Sequence, residues 1–369
     1  MSKHLVVYFV GCVVFGYAIF SLVRIMQSLA PDFSVFYDAS QGLLSGKNIY
    51  TLPMYTGLGY PPFSLLPFLP FTRFSYPAAQ AFWIGLSFIF FLSDIYLSLS
   101  LVETRVRFRE WCLVFIFGFL AFPVKFTLGM GQGNFLALLL LLLSLWGWQK
   151  KQTWLSGLSY GLLLIVKPHF ILLVPVYFLS GQWFATAISF SVIFLSAMTT
   201  GLLFGWGQYV FYFNKTVPPL LVFSGRTIYY NQSLGSFLGR LFPLPLAAEL
   251  TQWASIILSV GALWFIWRKR LGLLEAIIVS LPIFLLVEPL SWQHHYVFLL
   301  PVFVWLAVKV KQNIRLLIVL GICYFLVALN IRNPELWRPL ALSALILSHV
   351  CIGNMLIIGL TIRQLGRRV

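Results

Sequence analysis

Charge is what this sequence has least of. Only 9% of its 369 residues are Asp, Glu, Lys or Arg, and the acidic ones number nine. A soluble domain carries about 25% charged residues. With 60% of the chain hydrophobic, a water-soluble fold is excluded and the bilayer must act as solvent. Cysteine is also scarce: Cys12, Cys112, Cys323 and Cys351 lie in apolar runs without Cys-x-x-Cys spacing. Neither a disulfide framework nor a zinc site is expected from that usage, which leaves four small core hydrophobes. No internal repeat of 20–50 residues is visible, and no soluble domain is expected at either end.

The net charge of +16 does not point to nucleic acid, because the basic residues sit in short clusters between apolar runs instead of forming one patch. Apolar windows predict helices near 5–26, 77–102, 111–127, 134–149, 154–166, 169–180, 183–204, 249–267, 271–287, 295–309, 314–330 and 339–362. The expectation is an all-α polytopic membrane protein of about twelve transmembrane segments forming one domain over residues 1–369. A span needs about 20 residues. The windows 154–166 and 169–180 are short, as half-helices meeting at Lys167-Pro168-His169 would be. Residues 60–72 hold four prolines and read as a short interfacial helix. The first window precedes Ser28-Leu29-Ala30, a small-x-small sequence, but its span-like length and the following Pro31 mark an uncleaved helix.

Lys3, Arg105, Arg107, Arg109, Lys150, Lys151, Arg268, Lys269, Arg270, Lys309, Lys311, Arg315, Arg363, Arg367 and Arg368 fall on one side of this map, fifteen of 25 basic residues. By the positive-inside rule that side and both termini are cytoplasmic. The opposite face receives two long connections, about 27–76 and 205–248.

Most of the rare polar residues outside the basic clusters gather on that outer face, among them Asp32, Asp38, Tyr60, Lys125, Gln132, Asn134, Lys167, His169, Asn231, Gln232, Ser233, Glu288, His294, His295 and Arg332. Charge beside apolar spans costs about 2.5–3.5 kcal/mol per residue at a helix centre, so the cluster points to function. Asp32 has two readings. It is a helix N-cap for an amphipathic segment over 33–45, or a general base that takes a proton from an attacking hydroxyl. Both hold together only if one carboxylate oxygen stays free. Asp38 reads as a solvated or structural residue on another side of that helix. His294 and His295 follow Ser291-Trp292. With Glu288 close, a zinc site is conceivable, but no His-Glu-x-x-His spacing is present. Contact with a phosphate fits imidazole, lysine and arginine better, and Lys167, Arg226, Arg240, Arg332 and Arg338 are further cations for it; each alone also reads as a snorkelling interfacial anchor. Gly129-Met-Gly-Gln-Gly-Asn134 lacks the Gly-Lys-Ser/Thr ending of a P-loop and makes a tight turn, from which Gln132 and Asn134 can offer amides to a sugar or phosphate. Tyr60-Pro61-Pro62 shapes its loop. Asp94, inside a span, has no evident partner.

Asp32-Phe-Ser-Val-Phe-Tyr37, Leu44-Ser-Gly-Lys-Asn-Ile-Tyr50, Tyr60-Pro-Pro-Phe63, Gly131-Gln-Gly-Asn134, Lys167-Pro168, Asn231-Gln-Ser233 and Ser291-Trp-Gln-His-His295, in this order, resemble glycosyltransferase family 87 of the polytopic C-type superfamily. The resemblance runs from about residue 30 to 300. It implies an inverting enzyme of the cell envelope, on the outer face of the plasma membrane. Such an enzyme moves a sugar, typically mannose, from a polyprenyl-phosphate donor to a glycolipid or glycan acceptor. It implies Asp32 as catalytic base and one of His294 and His295 at the donor phosphate. Glu288 stands where a small residue often precedes the Pro-x-Ser-Trp run, a difference that bears on acceptor recognition. No Asp-x-Asp motif occurs, so no obligatory metal or other cofactor is expected. The rival reading is a multi-pass transporter or lipid flippase. Its working charges belong near the midplane and its halves are commonly alike, neither of which this sequence displays.

Overall fold

The computed structural model describes residues 3–103, 105–221, 225–337 and 342–366. Arg338, Arg367 and Arg368 lie outside these residues. Among the described residues regular structure is helical, apart from one isolated antiparallel bridge between Asn231 and Trp292. In chain order the α-helices are α1 (Lys3–Met26), α2 (Pro31–Leu44), α3 (Tyr76–Ser100), α4 (Phe108–Leu120), α5 (Phe122–Met130) and α6 (Asn134–Gln149). Then come α7 (Thr153–Val166), α8 (Val174–Leu179), α9 (Trp183–Phe204), α10 (Gly207–Phe211), α11 (Val217–Leu220) and α12 (Leu234–Leu241). The last six are α13 (Leu244–Lys269), α14 (Leu273–Val287), α15 (Leu300–Val310), α16 (Ile314–Ala328), α17 (Ser343–Ile346) and α18 (His349–Gly366). Hydrocarbon offers no partner to backbone polar groups, and a helix closes those bonds internally.

Every predicted window contains helix among the described residues. Among the described residues, five helices are long and apolar enough to cross a membrane: Leu5–Met26, Tyr76–Ser100, Trp183–Phe204, Leu244–Lys269 and Gln293–Val310. A sixth is added if α4 and α5, bent by 67°, count together. Five more apolar helices run only 10–17 residues. At about 1.5 Å per residue, the 14 residues of α7 fall well short of a hydrocarbon core of about 30 Å. Residues 60–72 form two short 3-10 helices, Pro62–Leu65 and Leu69–Arg73, because prolines without amide hydrogens interrupt one continuous helix.

The long helices carry the apolar exterior that a bilayer requires: Phe194, Leu195, Leu202 and Leu203 on α9 and Trp253, Ile257, Val260 and Trp264 on α13 are all exposed. The five to six apolar helices mark an integral membrane protein.

The chain divides into two compact units, one of residues 1–119, 125–171 and 183–219, the other of residues 120–124, 172–182 and 220–369. In the first, α6, α7 and α9 pack side by side through small residues, as membrane helices do where backbones approach closely. A Cβ added at Gly157 would stand 2.6 Å from the Ala185 carbonyl oxygen, while Ser189 Oγ donates to the Gly157 carbonyl at 2.9 Å. Across the α6–α7 seam, Ser144 Oγ donates to the Ser156 carbonyl at 2.8 Å. In the second unit, α14 is buried along nearly its whole length and packs on α13, α15 and α18. Ser233 and Asn313 cap α12 and α16 by accepting from the amides of Ser236 and Leu316.

Candidate active site

In the first unit the start of α2 is held from three sides. Gln80 of α3 donates to the Ser28 carbonyl at 2.7 Å and accepts from the Ala30 amide at 2.9 Å and the Tyr76 hydroxyl at 2.7 Å. Phe33 stacks on Trp83, whose indole donates to the Gly131 carbonyl at 2.8 Å. Gly131 itself has φ +67°, a left-handed conformation that glycine adopts without strain. A Cβ there would meet the Phe33 Cβ at 2.6 Å. The glycine therefore lets the α5–α6 turn lie directly on α2 and bring Gln132 to Asp32.

Asp32 is not the N-cap. Ala30 holds that position, Pro31 opens the helix, and Asp32 lies in the first turn. There a negative charge complements the helix dipole. Its Oδ2 accepts a hydrogen bond from Gln132 Nε2. Gln132 Oε1 in turn accepts from Lys167 Nζ at 3.0 Å, and the same ammonium donates to Tyr60 Oη at 2.9 Å. Lys167 is 1% exposed, so this cation is held inside the protein by polar partners and the Tyr60 ring, 5.4 Å from Nζ to its centroid. Burial pushes the Asp32 carboxyl above its ordinary value; the Gln132 hydrogen bond and then the Lys167 charge pull it part of the way back. A carboxylate made more basic by burial is a better proton acceptor. Asp38 is exposed on the same helix, in keeping with a solvated role. Asn134, fully buried at the start of α6, donates to Thr127 Oγ1 at 3.3 Å.

A second polar cluster lies in the other unit. Gln232 Nε2 donates to the carbonyls of Tyr229 and Leu347 at 2.6 and 2.8 Å, and its Oε1 accepts from the Cys351 amide at 3.3 Å. Asn231 Nδ2 donates to the carbonyls of Arg226 and Pro289 at 2.9 and 3.1 Å, and its Oδ1 accepts from the Ser233 amide at 3.2 Å. Both side chains are fully buried, and these bonds make them the frame of the loop. Arg240 braces the same loop, donating to the Ile228 and Asn231 carbonyls and to Ser348 Oγ, each at 2.8 Å. The loop joins the Ser291–His295 segment, with the Gln232 amide on the Ser291 carbonyl at 2.7 Å and the Gln293 amide on the Tyr230 carbonyl at 2.9 Å. His295 Nδ1 faces Glu288 Oε2 at 3.4 Å. His294 stacks on Trp292 and lies edge-on to His295, with ring centroids 4.7 Å apart. Arg226 and Arg332 are exposed.

The sequence reading missed three supports. Tyr60 supplies a hydroxyl to Lys167 as well as shaping its loop. Gln80 was an unremarked amide in an apolar span, and that isolation was its signal. The third is the Tyr229–His349 pair. The Leu326 carbonyl can only accept, so His349 Nδ1, 2.6 Å away, carries the hydrogen. Its Nε2 then accepts from Tyr229 Oη at 2.8 Å. Asp94 is fully buried in α3 with neither carboxylate oxygen hydrogen-bonded among the described residues.

The chain belongs to glycosyltransferase family 87, whose model matches residues 58–289. It is similar to a polyprenol-phosphate-mannose-dependent alpha-(1-2)-phosphatidylinositol pentamannoside mannosyltransferase of Mycobacterium tuberculosis, 30% identical over 240 residues, covering 58% of this chain and 51% of that protein. A polyprenol-phosphate-mannose-dependent alpha-(1-2)-phosphatidylinositol mannoside mannosyltransferase of the same species is 23% identical over 297 residues, covering 73% of this chain and 68% of that protein. An alpha-(1->3)-arabinofuranosyltransferase of Corynebacterium glutamicum is 25% identical over 240 residues, covering 63% and 55%. The chain thus spans about half the length of the first of these relatives.

Proposed function

We propose that this chain is an inverting glycosyltransferase that moves mannose from a polyprenyl-phosphate donor to a lipid or polysaccharide acceptor. In this reading it works at the outer face of the plasma membrane, with both termini cytoplasmic, about twelve crossings and the C-type fold. The observation that carries the reading is the cluster at Asp32: in a chain of this family, a carboxylate raised by burial stands beside a buried lysine. The polyprenyl tail stays in hydrocarbon while phosphate and sugar sit at the interface. Asp32 takes the acceptor hydroxyl proton, and the oxygen attacks the anomeric carbon opposite the phosphate. The carbon–oxygen bond to phosphate breaks, and phosphate leaves with the electron pair. His294 and His295 are assigned to that phosphate, where charge grows in the transition state. Lys167 is assigned to Asp32, and the exposed Arg332 to a peripheral donor contact. The names of two relatives favour mannose and that of a third arabinofuranose.

The test presents purified protein in detergent with labelled polyprenyl-phosphate-mannose, polyprenyl-phosphate-arabinofuranose and GDP-mannose, each with a lipid extract and EDTA. Transfer from polyprenyl-phosphate-mannose alone is expected, undiminished by the chelator. Transfer only from the nucleotide sugar, lost in EDTA, would overturn the proposal.

Lys167→Met separates a role of that lysine at Asp32 from one at the donor phosphate. The base must be ionised to work, and the ammonium lowers the Asp32 pKa. Without it the folded-state pKa rises further, so the acid limb of the rate profile is expected to move to higher pH. If Lys167 instead binds phosphate, the donor KM rises and the limb stays in place.

A further inference from the structure

Gln132 read from the sequence as a substrate-binding amide, but both ends of its side chain face protein. The ammonium of Lys167 has only hydrogens to give, so the atom 3.0 Å from it must be Oε1. The amide therefore cannot flip, and Nε2 must face the carboxylate. The side chain is 7% exposed and stands between a cation that is 1% exposed and the first turn of α2. Asp32 Oδ1 has no hydrogen-bond partner among the described residues. One carboxylate oxygen is fixed and the other is left open, the condition under which a helix-start carboxylate can still act as a base.

We propose that Gln132 is a positioning residue: anchored on Lys167, it fixes Oδ2 of Asp32 and so presents Oδ1 as the proton-accepting atom. This rests on Asp32 being the base. Tyr60 completes the anchor by holding the same ammonium at 2.9 Å. Gln132 then carries the influence of Lys167 to the carboxylate through one rigid amide, and the reacting groups never touch it. Misplacement of a catalytic group by about 1 Å can cost 10²-fold in rate, which sets the scale of the expected effect.

The experiment compares wild type, Gln132→Met, Gln132→Glu, Lys167→Met, the Gln132→Met/Lys167→Met double variant and Asp32→Asn. Each is checked for folding by thermal melting in detergent, then assayed for transfer from polyprenyl-phosphate-mannose across pH. Met keeps the volume of Gln132 and removes both hydrogen bonds. Glu keeps the contact with Lys167 but sets a second carboxylate against Asp32. Both are expected to lower kcat by about 10²-fold with donor and acceptor KM within a factor of about two, and to move the acid limb to higher pH. The double variant is expected to be no slower than the slower single one, because the two residues act as a unit. Additive losses, a raised KM with unchanged kcat, or an unmoved acid limb would overturn the positioning role. Wild-type transfer by Asp32→Asn would instead overturn the base assignment on which it rests.

Discussion

Asp32→Asn is expected to lower sugar transfer by about 10²–10⁴-fold, the range over which a general base contributes, while leaving the protein folded. The substitution is close to isosteric. An asparagine Oδ1 can still accept the Gln132 hydrogen bond, and Pro31, Phe33 and the Gln80 clasp on Ala30 are untouched. What is lost is the ability to take up a proton. Initial rates at saturating donor and acceptor, with melting curves beside them, separate lost chemistry from lost structure. A transporter would not need this carboxylate as a base, and unchanged transfer by a folded Asp32→Asn would remove it from the mechanism and turn attention to Glu288.

Gly131→Ala is the second large expected effect, and it begins in the backbone. A left-handed conformation costs a residue with a Cβ roughly 1–2 kcal/mol. The added carbon would stand 2.6 Å from the Phe33 Cβ and 3.0 Å from the Ala30 Cβ. Overpacking of this kind costs about 1–3 kcal/mol. The Trp83 bond to the Gly131 carbonyl resists the shift that would relieve it. A destabilisation of about 2–5 kcal/mol follows from the two terms together, read as a lowered melting temperature. Because relief must move α2 away from the turn, Asp32 and Gln132 part and transfer falls as well. Gly129→Ala is the control: nothing lies within 4 Å of its added Cβ, and both readouts should stay near wild type.

The membrane class was legible from composition because nothing but lipid can cover so much apolar side chain. Helix positions were legible too, since each window is a predominantly apolar run. The number of crossings was less so, because runs such as 154–166 and 314–330 form apolar helices of 14 and 15 residues, shorter than the about 20 that a lone span needs. At the site, Asp32, Gln132 and Lys167 could each be singled out as scarce polar residues in an apolar chain. Their union could not, because it depends on a left-handed Gly131 and on an amide orientation that only the positions of Lys167 and Asp32 determine. Asn231 and Gln232 show the converse. The same scarcity marks an amide that holds Asp32 and one that frames a loop, and only their hydrogen-bond partners distinguish the two. Tyr60 was passed over because its neighbours Pro61 and Pro62 gave a sufficient reason for a turn, which hid the hydroxyl on Lys167.

The central claim is a single displacement in which Asp32 acts as base at the anomeric carbon. Its most direct test is the anomeric configuration of the glycoside formed from polyprenyl-phosphate-mannose of known configuration, read by NMR of the isolated product. Inversion is predicted. Retention would mean that the sugar passes through a covalent enzyme intermediate, and would contradict the account by making Asp32 a nucleophile or an onlooker.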